Sequence, residues 1–477
     1  MQNPPASPGG FRFSRNHLTT FCRQPDTGSI STIPTFAPPT QTPDLATLRS
    51  VCAEPYGFWL DSAVQHKDAG NRSFWGAGPT AILTSRGRSV SIERVRGATE
   101  RFDGDPFAIL RELLAEHAHL AEGAAVGYLG YGLKRHIETL PDTVLDDLEL
   151  PDCTLAFYDR IHEFDARTLY LNASDRSPGL SGTDVTSSFT RDGYEATVEG
   201  ALAYILAGDI YQVNLSQRFA VPCTDDPFDV YLRLRSESPA PFAAFINYPD
   251  FSVLSSSPER FLHYRPEDRR IETRPIKGTR PRGRDEVSDR ALARELLQSE
   301  KDRAENIMIV DLLRNDLGRI AQIGSVNVTD LLELETFAGV HHLVSTIEAR
   351  LRPDRDVVDL LWAAFPGGSI TGAPKIRAMQ IIDELEPVSR GVYTGAIGFM
   401  RMSGEMDLNI AIRTIVMKDG TASFSVGGGI VADSDPAMEY DETLHKAAGM
   451  IRALGTATLA SSTSTAHSLW TARREYR

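Results

Sequence analysis

Arg274-Pro275-Ile276-Lys277-Gly278-Thr279-Arg280 is the stretch from which the rest of this chain can be read. It is basic in an otherwise acidic protein, and its Pro and Gly mark a turn. Ahead of it, 251–262 is β-like and carries Ser255-Ser256-Ser257-Pro258-Glu259. Behind it, 289–316 is the longest helical pattern and carries Asp302 and Glu305. An amine with carboxylates on both sides, inside a turn, points to a reactive lysine rather than a solvated loop lysine.

The 477 residues suffice for two domains or one large layered unit. A hydrophobic content of 41% and a charged content of 24% are those of a soluble globular enzyme. The formal net charge of −14 argues against a nucleic-acid surface, yet allows a locally basic pocket for a small anion. Cys22, Cys52, Cys153 and Cys223 form no CxxC pair, which predicts neither a disulfide framework nor a zinc site and fits a reducing compartment. No apolar run approaches the roughly 18 residues of a membrane span, and 1–43 lacks the apolar core of a secretory signal. The expected location is the cytoplasm.

Composition divides the chain into a disordered tail (1–44), an N-terminal region (45–171), a Ser/Gly/Asp-rich linker (172–190), a densely patterned region (191–455) and a second disordered tail (456–477). The region 45–171 reads mostly as strands with short helices, and its glycine-rich strand-and-turn piece at 125–132 lacks the dinucleotide fingerprint. From 194 an amphipathic helix runs until Gly208 stops it, and 210–219 then alternates as a strand that puts Gln212, Asn214 and Ser216 on one face. Further strands are expected over 242–247, 251–255, 261–264, 397–402, 406–416 and 421–426. A last helix is expected over 436–454, with Asp435 as its cap and Pro436 as its first residue.

Asp302 and Glu305 lie three apart on one helix face; Glu439 and Glu442 repeat that spacing, and Lys446 continues their face one turn on. Two such carboxylate pairs suit Mg²⁺, although solvated helix faces would show the same spacing. The 367–375 stretch, Gly-Gly-Ser-Ile-Thr-Gly-Ala-Pro-Lys, opens a helix at Pro374 whose free N–H groups favour an anion. It lacks the Lys-Ser/Thr of a phosphate loop, which excludes that kind of ATP site. Gly427-Gly428-Gly429 reads as a turn where backbone can approach a carboxylate. Arg413, on a strand among apolar residues, needs a partner: a substrate carboxylate or a structural Asp or Glu. His341-His342 carries no signal alone.

Taken together these stretches resemble the chorismate-utilising enzymes, which include anthranilate synthase large subunits, isochorismate and salicylate synthases, and aminodeoxychorismate synthases. The likeness rests on ordered motifs at 209–216, 257–260, 275–279, 301–318, 367–375 and 427–446, and is weak over 45–170. It implies an α/β (α+β) anthranilate-synthase-like fold, with large antiparallel sheets flanked by helices in a two-lobed unit and the catalytic domain at 191–455. Leu60-Asp61-Ser62 sits where some members bind tryptophan; a structural role is the simpler reading.

Within the family, Pro-Ile-Lys-Gly-Thr around Lys277 marks the aminating branch, where anthranilate and salicylate synthases usually have Ala. Gln212 stands where the water-adding members carry a lysine base, which makes ammonia the external nucleophile. The resemblance implies Mg²⁺ on Glu305 and Glu442, with Asp302 and Glu439 nearby, binding the ring carboxylate as an electron sink. It implies Glu259 as the general acid for the departing C4 hydroxyl of chorismate, and Lys277 as the amine that adds at C2. Ammonia then attacks C4 and expels the lysine. The attacking Lys277 must be neutral, so its pKa is expected to be depressed. Tyr393, Arg413, Gly427 and Lys446 are expected to grip carboxylates, and Thr279, His342 and Ser369 to line the pocket. Neither a glutamine amidotransferase nor an aminotransferase-like lyase segment is expected within these 477 residues. Ammonia is therefore expected from a separate glutaminase partner, and release of 4-amino-4-deoxychorismate as the outcome. The rivals are an anthranilate synthase large subunit, which would expel pyruvate, and a non-catalytic chorismate-binding subunit.

Overall fold

A computed structural model of the chain describes residues 42–64, 71–95, 97–141, 143–169, 185–337 and 339–455. The expected tails over 1–41 and 456–477, and the expected linker over 172–184, lie outside these residues. Asp44 caps the helix Leu45–Ala53, and Thr190 caps the helix Arg191–Leu206, each accepting a bond from a first-turn N–H.

Among the described residues two large sheets carry the fold. One, of ten strands, runs Gly372–Ala373, Gln212–Pro222, Thr421–Ile430, Thr414–Lys418, Phe251–Ser257, Phe242–Asn247, Phe58–Asp61, Arg72–Gly76, His162–Asp165, with Thr186–Ser187 beside Gln212–Pro222. The other, of twelve, runs Ile276–Pro281, Val340–Arg350, Arg270–Arg274, Arg260–Arg265, Met406–Ile410, Ala396–Arg401, Ala124–Leu129, Cys153–Tyr158, Ala81–Arg86, Ser89–Arg94, Glu100–Asp103, with Asn327–Thr336 beside Val340–Arg350. The site-bearing pairs in each sheet are antiparallel. Both sheets draw strands from before and after 170–184.

Side-chain alternation sorts the layers. Phe58, Leu60 and Phe74 enter the space between the sheets, where they meet Val126, Tyr128 and Phe399. Trp59 and Trp75, one position along the same strands, face the helices Leu45–Ala53, Pro227–Glu237 and Pro436–Ala453 instead. On the far side of the second sheet, Ala125, Leu129 and Leu155 pack with Leu110, Ile309 and Leu361 from three more helices. The result is helix, sheet, sheet, helix, with each buried Leu or Phe contributing about 1.5–3 kcal/mol. The large antiparallel sheets flanked by helices agree with the expected fold class.

Three expectations need correction. The single helix expected over 289–316 is two, Glu286–Gln298 and Glu300–Gly318. Ser299 ends the first with φ −65° and ψ 109°, and caps the second by accepting from Asp302 N. One extended residue barely shifts the apolar phase, so periodicity does not register the break. The strand expected over 406–416 is also two, Met406–Ile410 and Thr414–Lys418, which belong to different sheets. Arg413 lies at this crossing, off both strands, in a left-handed conformation with φ 49°. Apolar residues continue through the crossing because both sheets bury a face there. Finally, Gly427-Gly428-Gly429 is no turn. It lies within Thr421–Ile430, paired with Ser216, Leu215 and Asn214.

Candidate active site

The turn expected around Lys277 is instead the strand Ile276–Pro281, irregular where Lys277 leaves it. Ile276 pairs with Val344 and Thr279 with His342, so Lys277 and Gly278 together oppose only Leu343. Such a bulge re-aims a side chain. Gly278 permits it, with φ +85° and a position where a Cβ would meet Leu296 Cδ1 at 2.9 Å and Asp302 Cβ at 3.0 Å. Lys277 is thereby directed onto the helix Glu300–Gly318, where its Nζ lies 3.0 Å from Glu305 Oε1. That helix is anchored beneath Glu305 by Asn306, which is fully buried, donates to Leu343 O at 3.1 Å and accepts from Ser345 Oγ at 2.6 Å.

Glu305 also accepts a 2.6 Å bond from Gln212 Nε2, which joins the other sheet to the site. Gln212 is 2% exposed, and its buried Oε1 has no hydrogen-bond partner among the described residues. The adjacent glycines leave room for the carboxylates. A Cβ on Gly429 would lie 2.6 Å from Glu305 Oε1, and one on Gly428 2.9 Å from Glu439 Oε2. Gly427 serves strand pairing itself, since a Cβ there would meet Leu215 O at 2.3 Å. Glu439 and Glu442 descend from the helix Pro436–Ala453. Ser434 Oγ donates to Glu439 at 2.7 Å, Lys446 Nζ lies 2.6 Å from Glu442 Oε1, and Lys446 also donates to Gly427 O at 2.9 Å.

The charges follow from these neighbours. Burial pushes the Lys277 ammonium towards losing its proton, but Glu305, Glu259 and Glu442 overcome that, and its pKa stands above the ordinary lysine value. This reverses the expected depression, because carboxylates rather than cations surround the amine. Burial pushes Glu305 up, yet Lys277, Lys446 and Gln212 hold it below the usual carboxylate range. Lys446 does the same for Glu442, against burial. Glu439 is raised, first by burial and then by the charge of Glu442.

Glu259 is the outlier among the carboxylates. Burial pushes its pKa up to about 7, with Ser369 and Lys277 moderating the rise. Ser369 Oγ donates to its Oε1 at 2.6 Å. His342 Nδ1 lies 2.8 Å from Thr279 Oγ1, and burial, then the Arg413 charge, depress the imidazole to about 3, so the ring is neutral. Arg413 forms no ion pair among the described residues, and burial alone lowers its pKa. The buried Tyr393 is packed beside Arg390, whose guanidinium carbon lies 5.8 Å from the ring centre.

Of the expected site residues, Gln212, Lys277, Glu305, Glu439, Glu442 and Lys446 meet around Gly427–Gly429, and Glu259 with Ser369 joins them through the field of Lys277. Asp302 is turned towards Arg280, whose Nη2 lies 3.1 Å from its Oδ2. Lys375 is likewise spent in structure, at 2.5 Å from Asp316 Oδ2. His341 bridges Asp289 and Thr336. No group of three or more His, Cys, Asp or Glu side chains converges tightly enough to ligate a metal among the described residues. The donor chemistry still fits Mg²⁺: hard carboxylate oxygens, a side-chain-free strand beneath them and the orphaned Gln212 Oε1.

Sequence reading left Lys301 without a role, although it stands one residue before Asp302. Its Nζ lies 3.8 Å from Glu439 Oε1, a meeting of two helices that local spacing does not reveal. A separate cavity of about 380 Å³ is lined by residues including Leu60, Asp61, Arg260, His263 and Phe399, and by none of the side chains gathered around Lys277. Asp61 accepts there from Tyr231 at 3.1 Å and from Arg235 at 2.5 Å, which is a structural use of that carboxylate.

Residues 56–452 match the family of chorismate binding enzymes. The chain belongs to that family. Its relatives include the aminodeoxychorismate synthase component 1 of Salmonella typhimurium, 45% identical over 397 residues that cover 78% of this chain and 87% of the relative. The anthranilate synthase component 1 of Acetivibrio thermocellus is 36% identical, covering 83% of this chain and 90% of the relative. Among solved structures, the anthranilate synthase component I of Streptococcus pneumoniae superposes with a TM-score of 0.70 at 32% identity, covering 81% of this family member and 93% of that chain.

Proposed function

We propose that the protein is component 1 of an aminodeoxychorismate synthase, converting chorismate and ammonia to 4-amino-4-deoxychorismate for 4-aminobenzoate and folate synthesis. Lys277 is the observation that carries this reading: a buried amine, aimed by a bulge into a carboxylate-lined site, in a relative of aminodeoxychorismate synthases. Ammonia is supplied by a separate glutaminase subunit, in keeping with the component 1 name of the relatives. A cytoplasmic location belongs to the same reading. It is supported by the free thiols of Cys52, Cys153 and Cys223 and by the absence, among the described residues, of a helix long and apolar enough to cross a membrane.

The residues divide the work. Arg413, which forms no ion pair among the described residues, holds a substrate carboxylate, a task shared with Lys446, Tyr393 and the Gly427 backbone. Thr279, neutral His342 and Ser369 line the ring pocket. Glu305, Glu439, Glu442 and Gln212 would hold Mg²⁺, with Asp302 behind them on Arg280. When bound, Mg²⁺ supplies positive charge to a substrate carboxylate.

Glu259, poised near neutrality, gives its proton to the C4 hydroxyl as the C4–O bond breaks, and water leaves. The Lys277 ammonium gives its proton to solvent, and the resulting amine bonds to C2 while the two ring double bonds shift towards C4. Ammonia then bonds to C4, the double bonds shift back and the C2–N bond to Lys277 breaks. Gln212 cannot serve as a base for water, which leaves ammonia as the nucleophile. The enolpyruvyl group takes no part.

The test is mass analysis of products from chorismate, Mg²⁺ and ammonium, with wild type beside Lys277→Ala. Aminodeoxychorismate without pyruvate, lost or strongly reduced in the variant, is expected. Anthranilate with pyruvate from the wild type would replace this reading with the anthranilate synthase one.

A further inference from the structure

Three ammonium groups face three carboxylates in the site: Lys277 at 3.0 Å from Glu305, Lys446 at 2.6 Å from Glu442 and Lys301 at 3.8 Å from Glu439. The first two lysines already have parts in the proposed reaction. Lys301 does not, and its geometry differs. Lys446 is also tied to Gly427 O at 2.9 Å, whereas Lys301 meets Glu439 beyond hydrogen-bond distance. The Lys301 side chain is 52% exposed while that of Glu439 is 5% exposed, so a solvent-facing cation covers a buried carboxylate. Its charge also reaches Glu442, and these two carboxylates repel each other. Gln212, whose buried Oε1 has no hydrogen-bond partner among the described residues, donates its Nε2 to Glu305 of the same carboxylate set.

We propose that Lys301 is a built-in counter-ion that stands in for the divalent cation at Glu439 and competes with it, so that this lysine sets the cation's affinity. The inference rests on the carboxylate set assigned above. Binding of a dication brings like charge beside the Lys301 ammonium, and the loosely held side chain swings into solvent. Substitution at this exposed position removes the competitor without disturbing the core.

The experiment is direct Mn²⁺ titration of the full chain, followed by the electron paramagnetic resonance of free Mn²⁺, with and without chorismate. Lys301→Met is expected to tighten Mn²⁺ by about three- to tenfold, the scale of losing one half-exposed charge beside a dication. Arg303→Met makes the same change of net charge from an exposed position on that helix and is expected to shift Kd less than about twofold. Glu439→Gln is expected to weaken binding at least about tenfold. Equal tightening by the Lys301 and Arg303 variants, or none by Lys301→Met, overturns the inference while Glu439→Gln still upholds the carboxylate set. No Mn²⁺ binding by the wild type, with or without chorismate, overturns both.

Discussion

Ser369 Oγ donates a 2.6 Å hydrogen bond to Glu259 Oε1, and neither residue is more than 6% exposed. The bond favours the ionised carboxylate, while burial favours the protonated one and prevails, placing the group at about 7. A general acid loses activity as pH rises through its pKa. Ser369→Ala therefore moves the descending limb of the kcat/KM profile to higher pH, by about one unit for the loss of one charge-assisted bond. A limb that stays in place, or moves to lower pH, would assign it to another group.

The same shift has a stability cost. Glu259 in the folded protein holds its proton up to about 7, against an ordinary value of 4.5. Between those values the folded state binds the extra proton, so stability falls as pH rises through the window and stays lowered above it. Glu259→Gln abolishes turnover and is expected to stabilise the protein at pH 8 by about 3 kcal/mol relative to its effect at pH 4. Urea unfolding at the two pH values measures this, and an equal effect at both would contradict the assignment.

Gly278 should not tolerate a methyl group. Gly278→Ala carries about 1–2 kcal/mol of left-handed backbone strain and drives the new Cβ against Leu296 and Asp302. Displacement of the Lys277 bulge is expected to lower kcat about 100-fold. Gly208→Ala provides the control, since Gly208 also has positive φ, at +82°, but nothing lies within 4 Å of the added Cβ. That variant should lose similar backbone stability and keep its kcat.

Arg413→Gln tests the guanidinium that forms no ion pair among the described residues. KM for chorismate is expected to rise about 10- to 100-fold, the value of a hydrogen-bonded carboxylate contact. Thermal stability should hold or rise, because the charge that burial disfavours is gone. A large loss of stability with unchanged KM would make Arg413 structural.

The sequence by itself determined the ordered motifs, the identity of Lys277 and Gln212, most strands and the capped last helix. These are local properties: alternation, helical spacing and turn residues act within a few positions. Tertiary structure alone decided which partner each charge found. Glu305 lies between Lys277 and Gln212, 28 and 93 residues away in the chain, and Asp302 is drawn to Arg280. It also decided that Lys277 keeps its proton, that Arg413 turns a left-handed corner between two sheets, and that the three glycines at 427–429 form a strand. A pKa or a strand crossing depends on what packs across the sheets, and the spacing of neighbours in sequence carries no record of it.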